Sequence, residues 1–236
     1  MMTPAIEILE ARAPRGYGGL FYGAYPALVR DINDPDGQGR VKVGLPWSPD
    51  GEGGTFEAWA RIATLMAGNN RGTWFVPDVG DEVIIVFLSG NPRHPCVVGA
   101  CWNGHDAPPQ SMDAAGNNYV KQIRSRNGVS VTLDDQDGQE KLVLETPGGQ
   151  KLTLKDGPGA IELEDSNGNS IKMEASGLTL RASAKVTIEA STMDVNAGMV
   201  NVNAGMSKFS GVVKSDTNIT NSTISTSYTP GAGNIW

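Results

Sequence analysis

The stretch Ser170–Gly205, SIKMEASGLTLRASAKVTIEASTMDVNAGMVNVNAG, decides the fold. Every seven or eight residues it sets two apolar side chains one residue apart: Ile171/Met173, Leu178/Leu180, Val186/Ile188, Met193/Val195 and Val200/Val202. Residues i and i+2 share one face of a β-strand, so the pattern predicts the same short strand repeated, each copy with a two-residue apolar stripe. Upstream the unit recurs at Val131/Leu133, Leu142/Leu144, Leu152/Leu154 and Ile161/Leu163, spaced by 9 to 11 residues. The turns between these earlier copies are DDQDGQE, TPGGQ, KDGPG and DSNGN, whereas later ones use Ser, Ala, Asn and Gly. Smaller turns predict a cross-section that narrows toward the C-terminus. A repeat of this length is one strand plus one turn, the unit of a β-solenoid or a fibrous β-helix.

Such a segment is short of apolar surface. Burying two aliphatic side chains contributes roughly 3 to 6 kcal/mol, while ordering seven or eight residues costs on the order of 10 kcal/mol. Three chains wrapped about a common axis resolve the deficit, because every stripe then faces two others and every strand gains interchain ladder partners. In that arrangement Leu154, Leu163, Met173, Leu180, Ile188, Val195 and Val202 form the trimer core. The alternative is a single-chain solenoid with three strands in each coil of about 24 residues.

Before the repeat the composition is different. Ten of the fifteen aromatic residues lie between Phe21 and Trp102. Long mixed strands are predicted there at ALVRDI, GRVKVGLPW, EAWARIATL, DEVIIVFL and PCVVGACW, separated by NDPDGQG, SPDGEGG, AGNNRG and SGNPRHP. Five strands and no convincing helix in some 85 residues predict a small closed barrel, the OB-fold being the economical form. The chain is thus all-β and divides into an N-terminal segment (1–20), an OB-fold domain (21–107), a Pro/Gly/Asn-rich linker (108–127), a β-helical shaft (128–226) and a C-terminal tail (227–236).

Charge and residue inventory exclude several functions. The formal net charge of −7 over 236 residues opposes polyanion binding, and residues 21–107 hold six Lys/Arg against ten Asp/Glu. Trp47, Trp59, Trp74 and Trp102 are therefore expected to pack or form interfaces rather than stack on bases. The sequence shows neither a signal peptide nor an 18-residue apolar stretch, so no stable membrane insertion and a cytoplasmic start are expected. Cys96 and Cys101 are expected as buried, reduced thiols, with His94 and His105 in loops and no metal site. The acidic turns DINDPDGQG and LDDQDGQE lack the calcium-loop register and are expected to be solvated. Glu162 and Glu164 alternate with Ile161 and Leu163, which puts them on the solvent face. With no nucleophile, base and orienter to assemble, the chain is expected to be non-enzymatic and without a cofactor.

The segments YPALVRDINDPDGQGRVKVGLPWSPD and AWARIATLMAGNNRGTWFVPDVGDEVIIVFLSGNPRHPCVVGACWNG carry a resemblance. GRVKV, the Trp and Pro of LPW, WARI, the PxVGDEV run at Pro77–Val83, FxxGxPxxP at Phe87–Pro95, VVG and NG resemble the OB domain of the phage baseplate protein V and VgrG family, the central spikes of contractile tails and type VI secretion systems. The resemblance implies a trimeric, intertwined β-helical needle after the barrel, a homotrimer, a hub protein at the OB end and a PAAR-like tip protein at the C-terminal end. It also implies cytoplasmic assembly followed by incorporation into a phage tail or extracellular injection particle. A soluble OB-fold adaptor with a monomeric solenoid is the competing function. The N-terminal PAIEILEAR is a candidate hub-binding helix or strand. At the other end, SYTPGAGNIW finishes on Ile235 and Trp236, which are expected either to grip the tip protein or to plug the trimer's own end.

Overall fold

The computed structural model describes residues 19–50, 52 and 54–226, so PAIEILEAR and the tail residues Ile235 and Trp236 lie outside the described residues. Two units are distinguished, Met1–Lys185 and Val186–Trp236.

The first unit begins with a closed five-strand barrel. Its strands are β1 (Ala24–Asp31), β2 (Val41–Pro49), β3 (Thr55–Ile62), β6 (Glu82–Phe87) and β7 (Pro95–Ala100), joined in the order β1-β2-β3-β7-β6. Four junctions are antiparallel; β3 and β7 close the ring in parallel through Arg61↔Cys96 and Ile62↔Val97. Between β3 and β6 the chain makes a small hairpin, β4 (Ala67–Gly68) with β5 (Arg71–Gly72), where the sequence predicts only a turn. Period-two alternation fills the interior: Ala27 and Val29, then Val41, Val43 and Leu45, then Val83, Ile85 and Phe87 are all buried. β-branched residues dominate, as a tightly curved sheet favours.

Aromatic rings seal the barrel at the end where β1 starts. Phe21 lies edge-on to Tyr25, and Tyr25 stacks on Trp47 at 4.9 Å between centroids. The Trp47 indole Nε1 donates to the Pro26 carbonyl at 2.7 Å, so this ring is spent on packing. Trp59 lies beneath Arg40 and Lys42.

The β1–β2 turn is a built structure rather than the solvated loop its acidity predicts. The Asp34 carboxylate accepts from the backbone N–H of Asp36, Gln38 and Arg40 and takes two bonds from the Arg40 guanidinium, at 2.6 and 3.1 Å. Its side chain is only 6% exposed. One carboxylate thus satisfies the donors that a reversing backbone leaves open.

Downstream, seven strands form one sheet: β8 (Val120–Arg124), β9 (Ser130–Asp134), β10 (Lys141–Glu145), β11 (Lys151–Lys155), β12 (Ala160–Glu164), β13 (Ser170–Glu174) and β14 (Gly177–Arg181). Every strand pairs antiparallel with its neighbour in sequence, a meander. The reversals rest on local turn chemistry. Gly149 and Gly168 adopt φ of 83°, which a side chain would strain, and Asp165 Oδ1 accepts from the N–H groups of Asn167 and Asn169. β8 falls inside the stretch the sequence marks as linker; its single aliphatic on the apolar face, Ile123, is too weak a signal to read as a strand.

From residue 182 to 226 the chain forms no sheet ladder within itself, although Val186/Ile188, Met193/Val195 and Val200/Val202 keep the strand alternation. The turns there lack the Asp-Gly and Gly-Gly reversals of residues 135–168, so successive segments do not fold back on one another.

Arg40, as the hydrogen-bond donor to Asp34, holds that carboxyl well below its ordinary value near 3.8. A depressed carboxyl stabilises the fold fully above its unfolded pKa and loses that contribution as pH falls toward the folded one. Asp34→Asn should therefore lower the thermal midpoint of the chain at pH 6 to 8, with the two melting curves converging as the pH drops below about 4. Parallel calorimetry of both proteins between pH 2 and 8 measures this; a constant offset across the range would refute it.

Candidate functional site

The meander's register sorts its side chains into two populations. On one face, Leu133, Leu142, Leu154, Ile161, Met173 and Leu178 make one cross-strand column, and Ile123, Val131, Leu144, Leu152, Leu163, Ile171 and Leu180 make a second. Lys121 heads the first column, and its ammonium turns to the Asn118 carbonyl and Asp135, both at 2.7 Å. Six strand spacings of about 4.8 Å make this apolar face roughly 29 Å long.

The opposite face is charged and better covered. Glu162 sits between Lys155 at 2.9 Å and Lys172 at 3.8 Å, and Lys172 also pairs with Glu174 at 2.6 Å. A hydrogen bond from Lys172, then one from Ser176, lowers the Glu174 carboxyl; the same Glu174 bond raises the Lys172 ammonium. Lys141 meets Asp134 at 3.1 Å. Such cross-strand pairs set register and solubility more than stability.

Burial runs opposite to polarity. Thr153, on the charged face, is 6% exposed, while on the apolar face Val131, Leu142 and Leu152 are half-buried and the other ten column residues run from 37% exposed at Ile171 to 69% at Leu178. A monomeric surface rarely leaves so many contiguous aliphatic side chains in water. The expected core residues Leu154 and Met173 fall in the first column, Leu163 and Leu180 in the second, all on this uncovered face. Ile188, Val195 and Val202 belong to the second unit, where each is also more than half exposed.

Other candidate positions resolve as follows. Cys96 lies half-buried in β7, but Cys101 is exposed, correcting the expectation of two buried thiols: it stands just past the end of the strand, where no neighbour covers it. His105 is in a loop beside Asp106. Among the described residues no group of three potential ligands gathers to hold a metal ion, and no helix is long and apolar enough to cross a membrane. Trp74 and Trp102 are largely exposed, on the barrel surface.

A barrel followed by a sheet with one unsatisfied apolar face defines a protein built to associate with itself. Known families agree. Residues 25–102 match the type VI secretion system/phage-baseplate injector OB domain, and residues 141–206 match the phage baseplate V C-terminal trimerisation domain. Together the two matches cover more than half of the chain, which belongs to this phage-baseplate and type VI injector family. Relatives include the type VI secretion system spike proteins VgrG1b and VgrG4b of Pseudomonas aeruginosa, 28% and 33% identical over 127 and 114 residues. These alignments take in 51% and 46% of the chain. The actin cross-linking toxin VgrG1 of Vibrio cholerae is 27% identical over 128 residues, half of the chain. The match spans less than a fifth of each relative, 17%, 14% and 12% in turn. The trimerisation domain supports a homotrimer.

If the apolar face is covered in the assembled protein, Leu163→Asp should be severe, because a buried carboxylate without a partner costs several kcal/mol. Thr179→Asp, beside Lys172 on the charged face, should stay within about 0.5 kcal/mol of wild type. Denaturant titration of both variants checks this; equal effects would show that the two faces do not differ in the native assembly.

Proposed function

We propose that three copies of the chain assemble with their apolar sheet faces turned toward a shared axis, forming the central spike of a contractile tail or injection machine. The observation that carries this is the uncovered face of two aliphatic columns, which one chain leaves in water. Leu154, Leu163, Met173 and Leu180 form the upper core, and Ile188, Val195 and Val202 continue it where the ladder partners come from the other two chains. A meander supplies its own hydrogen bonds and needs partners only for its face. The later segments need partners for backbone as well, so an intertwined shaft follows a prism.

The barrel has two distinguishable ends. Pairing of Ala24 with Val86 and of Phe87 with Pro95 puts the aromatic seal and the 88–94 turn at one end. Pairing of Leu28 with Glu82 and of Val83 with Ala100 puts the 77–81 loop and the exit toward the sheet at the other. The sealed end is the one free to meet a hub protein. At the C-terminus, Ile235 and Trp236 are proposed to contact a PAAR-like tip protein. The spike acts mechanically, carrying load through a ladder whose bonds must break together, and piercing a target envelope when the machine contracts. No catalytic step, cofactor or nucleic acid is part of this function. Assembly takes place in the cytoplasm before incorporation into the particle.

A soluble adaptor with a monomeric solenoid is the competing function. A three-strand coil pairs strands three apart, and it pairs them in parallel; the adjacent antiparallel pairing of β8 to β14 argues against it.

Light scattering of the full chain should give a mass near three times 24.9 kDa. A stable monomer at micromolar concentration would remove the spike. Deleting Asn234–Trp236 from a trimer should abolish retention of a tip protein in pull-down without lowering the melting temperature of the shaft; full retention would reject the tip contact.

A further inference from the structure

The β4–β5 hairpin and the β1–β2 turn enclose a groove of about 720 Å³ on the barrel, lined by Gly39, Ile62, Met66, Arg71, Trp74 and Phe75 among others. Its rim is apolar and open: Met66, Trp74 and Phe75 are each more than half exposed. From Thr64 to Phe75 the sole charge is Arg71, and among the described residues Arg71 forms no ion pair.

The groove belongs to the sheet side of the barrel. Its Gly37–Gly39 wall is part of the turn after β1, and the adjoining loop is tied to the sheet by Arg126, which donates to Asp78 at 3.0 Å. This end of the barrel is where other copies must crowd if the sheets trimerise.

A complementary segment lies in the same chain. Residues 103–118, between barrel and sheet, carry Asp106 and Asp113 and no Lys or Arg. Met112 at their centre is 99% exposed. Gln110 donates to Gln122 at 3.2 Å, and Gln122 shares the charged face with Thr132, to which it also donates. The linker therefore runs over the side of the sheet that the apolar core leaves outside, and Met112 takes no part in the axial packing.

We propose that the barrel groove of one copy receives the linker of a neighbouring copy, with Met112 against Met66, Trp74 and Phe75 and the acidic linker facing Arg71. This inference rests on the trimeric reading. A groove-to-linker contact is heterologous and closes after three steps only about a three-fold axis, which the sheets already impose. The contact would lock the barrels to the shaft at its outer rim, where the sheet core gives no hold.

The test is a disulfide between copies. In a Cys101→Ser background, Met112→Cys is combined with Phe75→Cys or, in a second variant, with Ala67→Cys, and the oxidised full chain is run on a non-reducing denaturing gel after its mass is measured by light scattering. The proposal predicts covalent dimers and trimers forming at least about tenfold faster than with Met112→Cys plus Leu88→Cys at the sealed end, because held neighbours react at millimolar effective concentration. Arg71→Glu should slow the Ala67 pair, and Arg71→Lys should not. A trimer by mass that yields crosslinks no faster than the Leu88 control, or crosslinks only within chains, overturns the groove assignment and leaves the spike standing. A monomer by mass overturns both.

Discussion

The structure depends on one imbalance: an antiparallel sheet that satisfies its own backbone but leaves two aliphatic columns uncovered. Backbone satisfaction makes the sheet able to form within a single chain, since each of β8 to β14 finds a partner in its sequence neighbour. The hydrophobic term remains unmet, because the charged reverse face cannot be turned inward without stripping water from Lys141, Lys155, Lys172 and Glu162. A three-fold arrangement meets that term with no new folding. In the proposed assembly each sheet supplies one wall, and the ion pairs stay in water.

The same logic explains why the chain changes character after Arg181. Where the turns hold Gly at positive φ and an Asp that caps the reversal, the strands return on themselves. Where the turns shorten to Ala, Ser and Asn, the alternation persists without a return, and in the proposed spike the ladder is left to other chains. The barrel, by contrast, is self-sufficient. Its core of Val29, Val41, Val43, Val83 and Ile85 is fully buried, and its edges are abolished by the parallel β3–β7 junction.

Much of this was legible in the sequence. The five barrel strands and the two-residue stripe follow from period-two alternation, and Leu154, Leu163, Met173 and Leu180 fall on one face as that period requires. What was not legible came from tertiary context. β8 carries one aliphatic on the apolar face, Ile123, and a Lys121 that snorkels to Asp135, so its alternation is nearly silent. The Asp34 turn looked like a solvated acidic loop because nothing in DPDGQGR announces that Arg40 will fold back onto the carboxylate. The β4–β5 hairpin is two residues a side, too short for any periodicity, yet it builds the groove. Cys101 stands a single position past a strand end, which periodicity does not locate to the residue.

The central claim is that residues 186–226, which have no ladder within one chain, are as firmly hydrogen-bonded in the native assembly as the meander. Native-state amide hydrogen exchange on the full-length protein measures this directly. The account predicts protection of alternate amides around Ile188, Val195 and Val202 comparable to that around Leu154 and Leu163, lost in one cooperative step when the trimer is dissociated. Rapid exchange throughout 186–226 in a protein whose meander is protected would contradict it.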